Sequence, residues 1–179
     1  MRVNWIAFLW GFAEATLFFI VPEVWLSYCA KDSLRKGLRA CAFSLIGALL
    51  GGALMYFWGR ADLRHAIGAV EMVPSISLDM MDYVYMQLSK QPGWAIFLGS
   101  LAGIPSKTYA AQAHAVGLSL WFFLLISIPA RLIRFVIVTI ATHYSLRSVV
   151  NAGSKRSKTT LLLTGWAIFY GFYFYKTIW

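Results

Sequence analysis

WIAFLWGFAEATLFFIVPEVWLSYCA, residues Trp5–Ala30, is oily enough to enter a bilayer. Yet it carries Glu14, and then Pro22-Glu23, in the part that should lie deepest. Charge and irregular backbone at membrane depth are tolerated only where protein buries them or where they line a water-filled cavity. A second stretch, WAIFLGSLAGIPSKTYAAQAHAVG from Trp94 to Gly117, repeats the misfit with Gly103-Ile104-Pro105-Ser106-Lys107 at its centre. Two broken, charged apolar segments in one small chain point to a transport site.

Composition sets the outer bounds. The chain is 60% hydrophobic and 17% aromatic, with mean hydropathy +0.66, whereas soluble domains are roughly 45–50% apolar. An integral membrane protein of one domain, residues 1–179, is therefore expected. Its formal charge of +9 is not read as a nucleic-acid signal. The basic residues cluster in short connections between apolar segments, where they set topology and meet anionic lipid. Cys29 and Cys41 have no metal or redox spacing and read as inert buried thiols. Arg2 before an apolar run imitates a signal peptide, but Glu14 interrupts the run and no small-residue cleavage site follows. Leu26-Ser27-Tyr28-Cys29 approaches a lipoprotein cleavage pattern, but bulky Tyr28 stands where a small residue is needed.

Outward from the two broken segments, Cys41–Trp58, Leu118–Thr142 and Leu161–Ile178 are long enough to span. Lys31–Ala40 and Tyr144–Thr160 read as basic loops with four Lys/Arg each; Arg60–Gln91 carries three against four acids. The first two then face the cytoplasm and the segment 62–91 faces out. Within it, Ile76, Met80, Val84 and Leu88 recur at helical spacing after Pro74 and Ser75 or Ser77. A surface helix, lying on the membrane or capping the domain, is expected there. Because 94–117 lies between two outer ends, it must enter and leave on one face, as a re-entrant hairpin or a pair of very short helices. The first broken segment, 5–30, either does the same from the cytoplasm or spans once; Pro22-Glu23 favours the hairpin. The predicted fold is thus all-α, two inverted units of re-entrant hairpin plus transmembrane helix (TM 41–58 and TM 118–142), followed by a C-terminal helix (TM 161–178). Pro22 precedes Gly51 by 29 residues, and Pro105 precedes Arg134 by the same 29. Inverted repeats place a substrate site where the broken elements meet.

Glu14 and Glu23 are the acids in apolar surroundings, and Lys107, Arg131 and Arg134 are their basic counterparts. Arg131 and Arg134 share a helix face and follow Pro129. These five are the candidate substrate or proton path; the competing reading is an internal ion-pair network. Gly47, Gly51 and Gly52 read as close helix packing. Tyr56 and Trp58, with Gly59-Arg60, read as an interfacial aromatic belt. Pro22, Gly103 and Pro105 mark the hairpin turns. Of the scattered histidines, His114 reads as a structural, hydrogen-bonded residue, with titration as the alternative. Trp166–Trp179 reads as a lipid-facing anchor. There is no intramembrane-protease serine motif, H-E-x-x-H site, Walker loop or acidic magnesium cluster. No enzyme, cofactor or metal is expected.

Four stretches carry a family resemblance: Phe12-Ala13-Glu14 leading to Val21-Pro22-Glu23; Gly51-Gly52-Ala53-Leu54-Met55-Tyr56-Phe57-Trp58-Gly59-Arg60; Gly103-Ile104-Pro105-Ser106-Lys107 through Ala115-Val116-Gly117; and Pro129-Ala130-Arg131-Leu132-Ile133-Arg134-Phe135. In order and spacing they resemble the DedA/VTT membrane protein superfamily, especially its small YqaA-like branch, over about residues 5–142. The resemblance implies a two-hairpin lipid transporter of a bacterial inner membrane, a flippase or scramblase. Its cargo would be a phospholipid or a polyprenyl phosphate, in some members moved with a proton. By position it maps the family's acidic and basic residues onto Glu14, Glu23, Lys107, Arg131 and Arg134. Two departures stand out: Gly52 where the family often has an acid, and Gly103-Ile104 where it often has an arginine before the proline. Membrane lipids are the expected partners, with self-association left open. The alternatives are a non-transporting membrane organising factor and an exporter of small solutes or ions.

Overall fold

Both proline-broken segments fold as helix, break, helix. The structure is a computed structural model that describes residues 2–149 and 155–178. In it α1 (Arg2–Ala15) ends at a break, and α2 (Glu23–Ala30) resumes after Pro22. In the second segment α6 (Pro92–Leu101) ends at Ala102, and α7 (Ser106–Ala113) resumes after Pro105. A long helix follows each: α3 (Leu34–Ala61) and α8 (Leu120–Val149). Between the two units lie α4 (Leu63–Glu71) and α5 (Leu78–Lys90), and the chain closes with α9 (Lys155–Ile178). The described residues contain no strand.

The two units interlock. α1 packs along α3 and α6 along α8, while α2 packs against α8 and α7 against α3, with α3 and α8 in contact between them. Trp25 returns to the start of its own segment: its Nε1 donates to the Val3 carbonyl at 3.1 Å, and its ring stacks on Trp10. α7 likewise lies back over α6, so that Tyr109 Oη occupies the space a Cβ at Gly99 would need.

The buried face of α3 explains this closeness. It includes Gly37, Ala40, Ser44, Gly47, Ala48, Gly51, Gly52 and Gly59, a stripe of small residues. A Cβ on Gly47 would stand 2.0 Å from the Phe8 carbonyl oxygen, and one on Gly51 2.6 Å from that of Phe12. The absence of side chains lets the α1 backbone rest directly on α3, which is how helices gain van der Waals contact when hydrophobic collapse is weak. On the far side of α3, Ile46, Leu50, Leu54 and Phe57 are each about half exposed. Both α3 and α8 (over Leu120–Ser148) are long and apolar enough to cross a membrane.

Several expectations shift. Lys31–Ala40 is mostly not a loop: α3 begins at Leu34 behind Ser33, because Leu, Arg, Lys and Ala are all good helix formers. Positive charge did not mark a coil. The predicted loop 144–160 is helical at 144–149 and 155–160; residues 150–154 lie outside the described residues. The segment 62–91 holds two helices rather than one. Asp62 caps α4 by accepting from the His65 N–H at 3.0 Å, and Ser77 caps α5 by accepting from the Met80 N–H at 3.2 Å. Of the predicted apolar stripe, Ile76, Val84 and Leu88 are buried, together with Val70 and Met81, against Ala95, Ile96 and Tyr109. The pair therefore packs over the second broken segment. Tyr56 departs from the interfacial reading: it is buried and donates to the Leu118 carbonyl at 2.6 Å, tying α3 to the turn before α8. Its hydroxyl also lies 3.3 Å from His114 Nδ1, which gives that histidine a structural partner. α9 covers the predicted 161–178 helix, but its tyrosines leave it less apolar than α3 or α8.

Candidate functional site

Breaking a helix frees backbone groups, and buried ones must find partners. At the first break (residues 16–22), three such groups are taken by distant side chains. Trp10 Nε1 donates to Ile20 O at 3.0 Å, the Val21 N–H donates to Tyr170 Oη at 2.8 Å, and Lys107 Nζ donates to Phe18 O at 2.7 Å. The last of these joins the second broken segment to the first. At the second break, Gly103 adopts φ +93°, a conformation in which any side chain is strained, and the Ile104 N–H closes the turn onto Gly99 O at 2.9 Å. The two breaks meet, and Val21, Glu23, Gly103 and Pro105 line one cavity of about 690 Å³.

All five predicted charged residues converge at this cavity or directly behind its wall. Arg131 Nη1 donates to Glu14 Oε2 at 2.8 Å, and its Nη2 donates to Ser106 Oγ. Glu14 and Arg131 are both buried. One turn along α8, Arg134 Nη1 donates to Ser100 O at 3.3 Å, and its Nε lies 2.5 Å from Glu23 Oε1. That second contact is close but poorly aimed: Arg134 Nε and Glu23 Oε2 are both buried without a hydrogen-bond partner. Lys107 is buried and, among the described residues, has no carboxylate within ion-pair distance; its one acceptor is Phe18 O. Three basic side chains face two carboxyls, 3 − 2 = 1, an excess of one by formal charge, and Lys107 is the one without a carboxylate at ion-pair distance among the described residues.

Position separates the five. Glu14, Glu23, Lys107 and Arg134 line the cavity, whereas Arg131 stands behind them. Gly51, Gly52 and Tyr56 stay outside it: Gly51 serves the α1–α3 seam, Gly52 faces the Phe123 ring, and Tyr56 works near the Leu118 turn. Pro22 and Pro105 occupy the cap positions of α2 and α7. Sequence reading missed Ser106, the carbonyls of Phe18 and Ser100, and the inward aromatics of α9. Among its described residues, the run Trp166–Trp179 turns part of its face inward. Trp166, Tyr170 and Tyr173 line the cavity, with Trp166 Nε1 donating to Ser27 Oγ at 2.9 Å and Tyr173 Oη to Pro74 O at 3.0 Å. Only Ile168, Phe169, Phe172 and Tyr175 of that run are strongly exposed among the large apolar residues described. Among the described residues no three His, Cys, Asp or Glu side chains group to hold a metal.

No protein-family model, curated protein or solved structure matches this chain.

Proposed function

We propose that this protein is a membrane transporter that carries a lipid with an anionic head group, a phospholipid or a polyprenyl phosphate, between leaflets. In this reading α3 and α8 span the bilayer, α9 is a third span, and the two helix–break–helix segments dip in from opposite faces. The half-exposed apolar stripe on α3 supports the embedding, since soluble monomers rarely present such continuous apolar surface. The fourfold resemblance to the DedA/VTT superfamily supports the cargo.

The observation that carries the proposal is Lys107, a buried cation on a cavity wall with no carboxylate of its own. A lysine at membrane depth costs about 2.5–3.5 kcal/mol on insertion scales and is a functional-site hypothesis by default. A phosphate oxygen would supply the missing counter-charge, and Arg134, half-engaged with Glu23, supplies a second donor set. Glu23, with one oxygen unpartnered, is placed to take up a proton when an anionic head group binds and competes for Arg134, and to give it up when the head group leaves. The cargo shifts the balance between leaflet-facing states only if it binds one of them better.

The test is reconstitution into phosphatidylcholine vesicles containing a head-labelled anionic lipid, with label accessibility read from each side. Lys107→Met, which keeps chain length and removes charge, is expected to abolish movement while the protein stays folded. Equal movement in wild type and Lys107→Met refutes the reading.

A further inference from the structure

The charged floor is only one part of the cavity. From Arg134 the space continues along α8 past Val138 to Leu146, with Leu162 and Phe169 of α9 opposite. Twelve residues of helix separate Arg134 from Leu146, about 18 Å of length. That flank is mostly hydrocarbon. A small soluble anion bound at Lys107 would have no use for it; an amphiphile would.

Gly165 lies in this wall, and among the described residues no atom beyond its own stretch of helix stands within 4 Å of where its Cβ would be. Glycine inside a helix is less stable than alanine. Here it does not serve close packing, unlike Gly47 or Gly51, whose missing side chains admit a neighbouring backbone. It is exposed, and the cavity is one of the spaces it borders. Its helix is latched across the space by Trp166, Tyr170 and Tyr173, which hold α9 to Ser27, Val21 and Pro74. Opposite these contacts Ile168, Phe172 and Tyr175 face outward.

We propose that the seam between α8 and α9 is a binding site for one hydrocarbon chain of the cargo, and that Gly165 is the residue whose small size admits it. The site takes a long-chain phosphate amphiphile and discriminates against a small soluble anion. It rests on the head-group reading of Lys107, which fixes where the polar end of the same molecule sits.

The test uses a single-chain alkyl phosphate bearing a diazirine on its chain, mixed into phosphatidylcholine vesicles that hold the full-length protein. Mass spectrometry after irradiation compares adducts on the inward Val138 and Leu162 with adducts on the outward Ile168 and Phe172, which report ordinary lipid contact. Wild type is expected to label more heavily on the inward set. Gly165→Trp should lower that set to the outward level, and Gly165→Ala should leave it unchanged; Gly165→Leu replaces the tryptophan variant if the latter does not fold. Wild-type labelling no heavier inside than outside overturns the proposal, as does inward labelling that survives both large substitutions. Lys107→Met separates the two readings. If it preserves inward labelling that Gly165→Trp removes, the chain site stands and the head-group site falls. If it removes inward labelling that Gly165→Trp preserves, the reverse holds.

Discussion

Glu14–Arg131 and Glu23–Arg134 use the same two residue types, with the arginines one turn apart on α8, but they are built differently. In the first pair the guanidinium divides its donors between a carboxylate and Ser106, and neither residue has a buried polar atom left without a partner. In the second the charges touch, yet Glu23 Oε2 and Arg134 Nε remain unbonded, and the Arg134 side chain is 25% exposed. The first pair sits partly behind the cavity wall and the second faces the cavity. A closed pair holds elements in place; an open one retains bonding capacity for something else. Under the proposed function, the difference gives Arg131 a positioning role and makes Arg134, with Lys107, the contact for the cargo.

The sharpest way to break that assignment is Arg131→Ala. It leaves Glu14 buried and charged without its partner, a change that costs about 3–5 kcal/mol where buried pairs have been cut. Denaturant or thermal unfolding in detergent should show a loss of that size, and Glu14→Gln combined with Arg131→Gln should recover much of it, because two neutral amides can bond each other. Arg134→Gln is expected to cost less, about 1–3 kcal/mol, since one of its contacts is already imperfect. Its effect on vesicle transport should instead be severe. Equal stability losses in the two variants, with equal transport, would erase the distinction between the pairs.

The charged residues were legible in the sequence because an ionisable group in an apolar run is conspicuous wherever the fold puts it. Their pairing was not, because nothing in the spacing of Glu14 and Arg131 encodes which guanidinium meets which carboxylate. The breaks were legible through Pro22 and Pro105. Backbone partners were illegible in principle: Phe18 O and Ser100 O have no side-chain signature, and they matter only because a broken helix frees them. Leu34–Ala40 was misread because charge density reports the side of a membrane, while helix propensity reports the backbone. The α9 aromatics were misread because density along a helix does not say which face is turned inward. Tyr170 shows the consequence, since its hydroxyl completes the bonding of a break more than a hundred residues away.

That contact also tests how far the open side of the site depends on α9. Tyr170→Phe keeps the ring and removes the acceptor for the Val21 N–H, so the fold should lose about 1 kcal/mol. The smallness is itself the sharpening result. If the open pair is meant to work rather than to hold, loosening its latch should change transport by more than it changes the unfolding midpoint. A proportionate fall in both would return α9 to the role of a simple anchor.

The smallest effect is expected at a third pair, outside the apolar segments. Asp62 and His65 approach to 2.9 Å at the start of α4, and both are well exposed. The His65 backbone N–H beside Asp62 holds its carboxyl below the usual aspartate range, helped by the imidazole when that is protonated. A carboxyl with a lowered folded-state pKa contributes stability above its unfolded pKa, and that contribution disappears as pH falls through the lowered value. Amide hydrogen exchange in the first turn of α4 should therefore quicken as pH is brought down through the carboxylate range, after correction for intrinsic exchange. Asp62→Asn, which keeps an oxygen acceptor at the cap without a titrating charge, should flatten the dependence. Because water screens this pair, global unfolding and transport should scarcely respond. If Asp62→Asn shifted transport as strongly as Arg134→Gln, the division between a working pair facing the cavity and a bystander in water would fail.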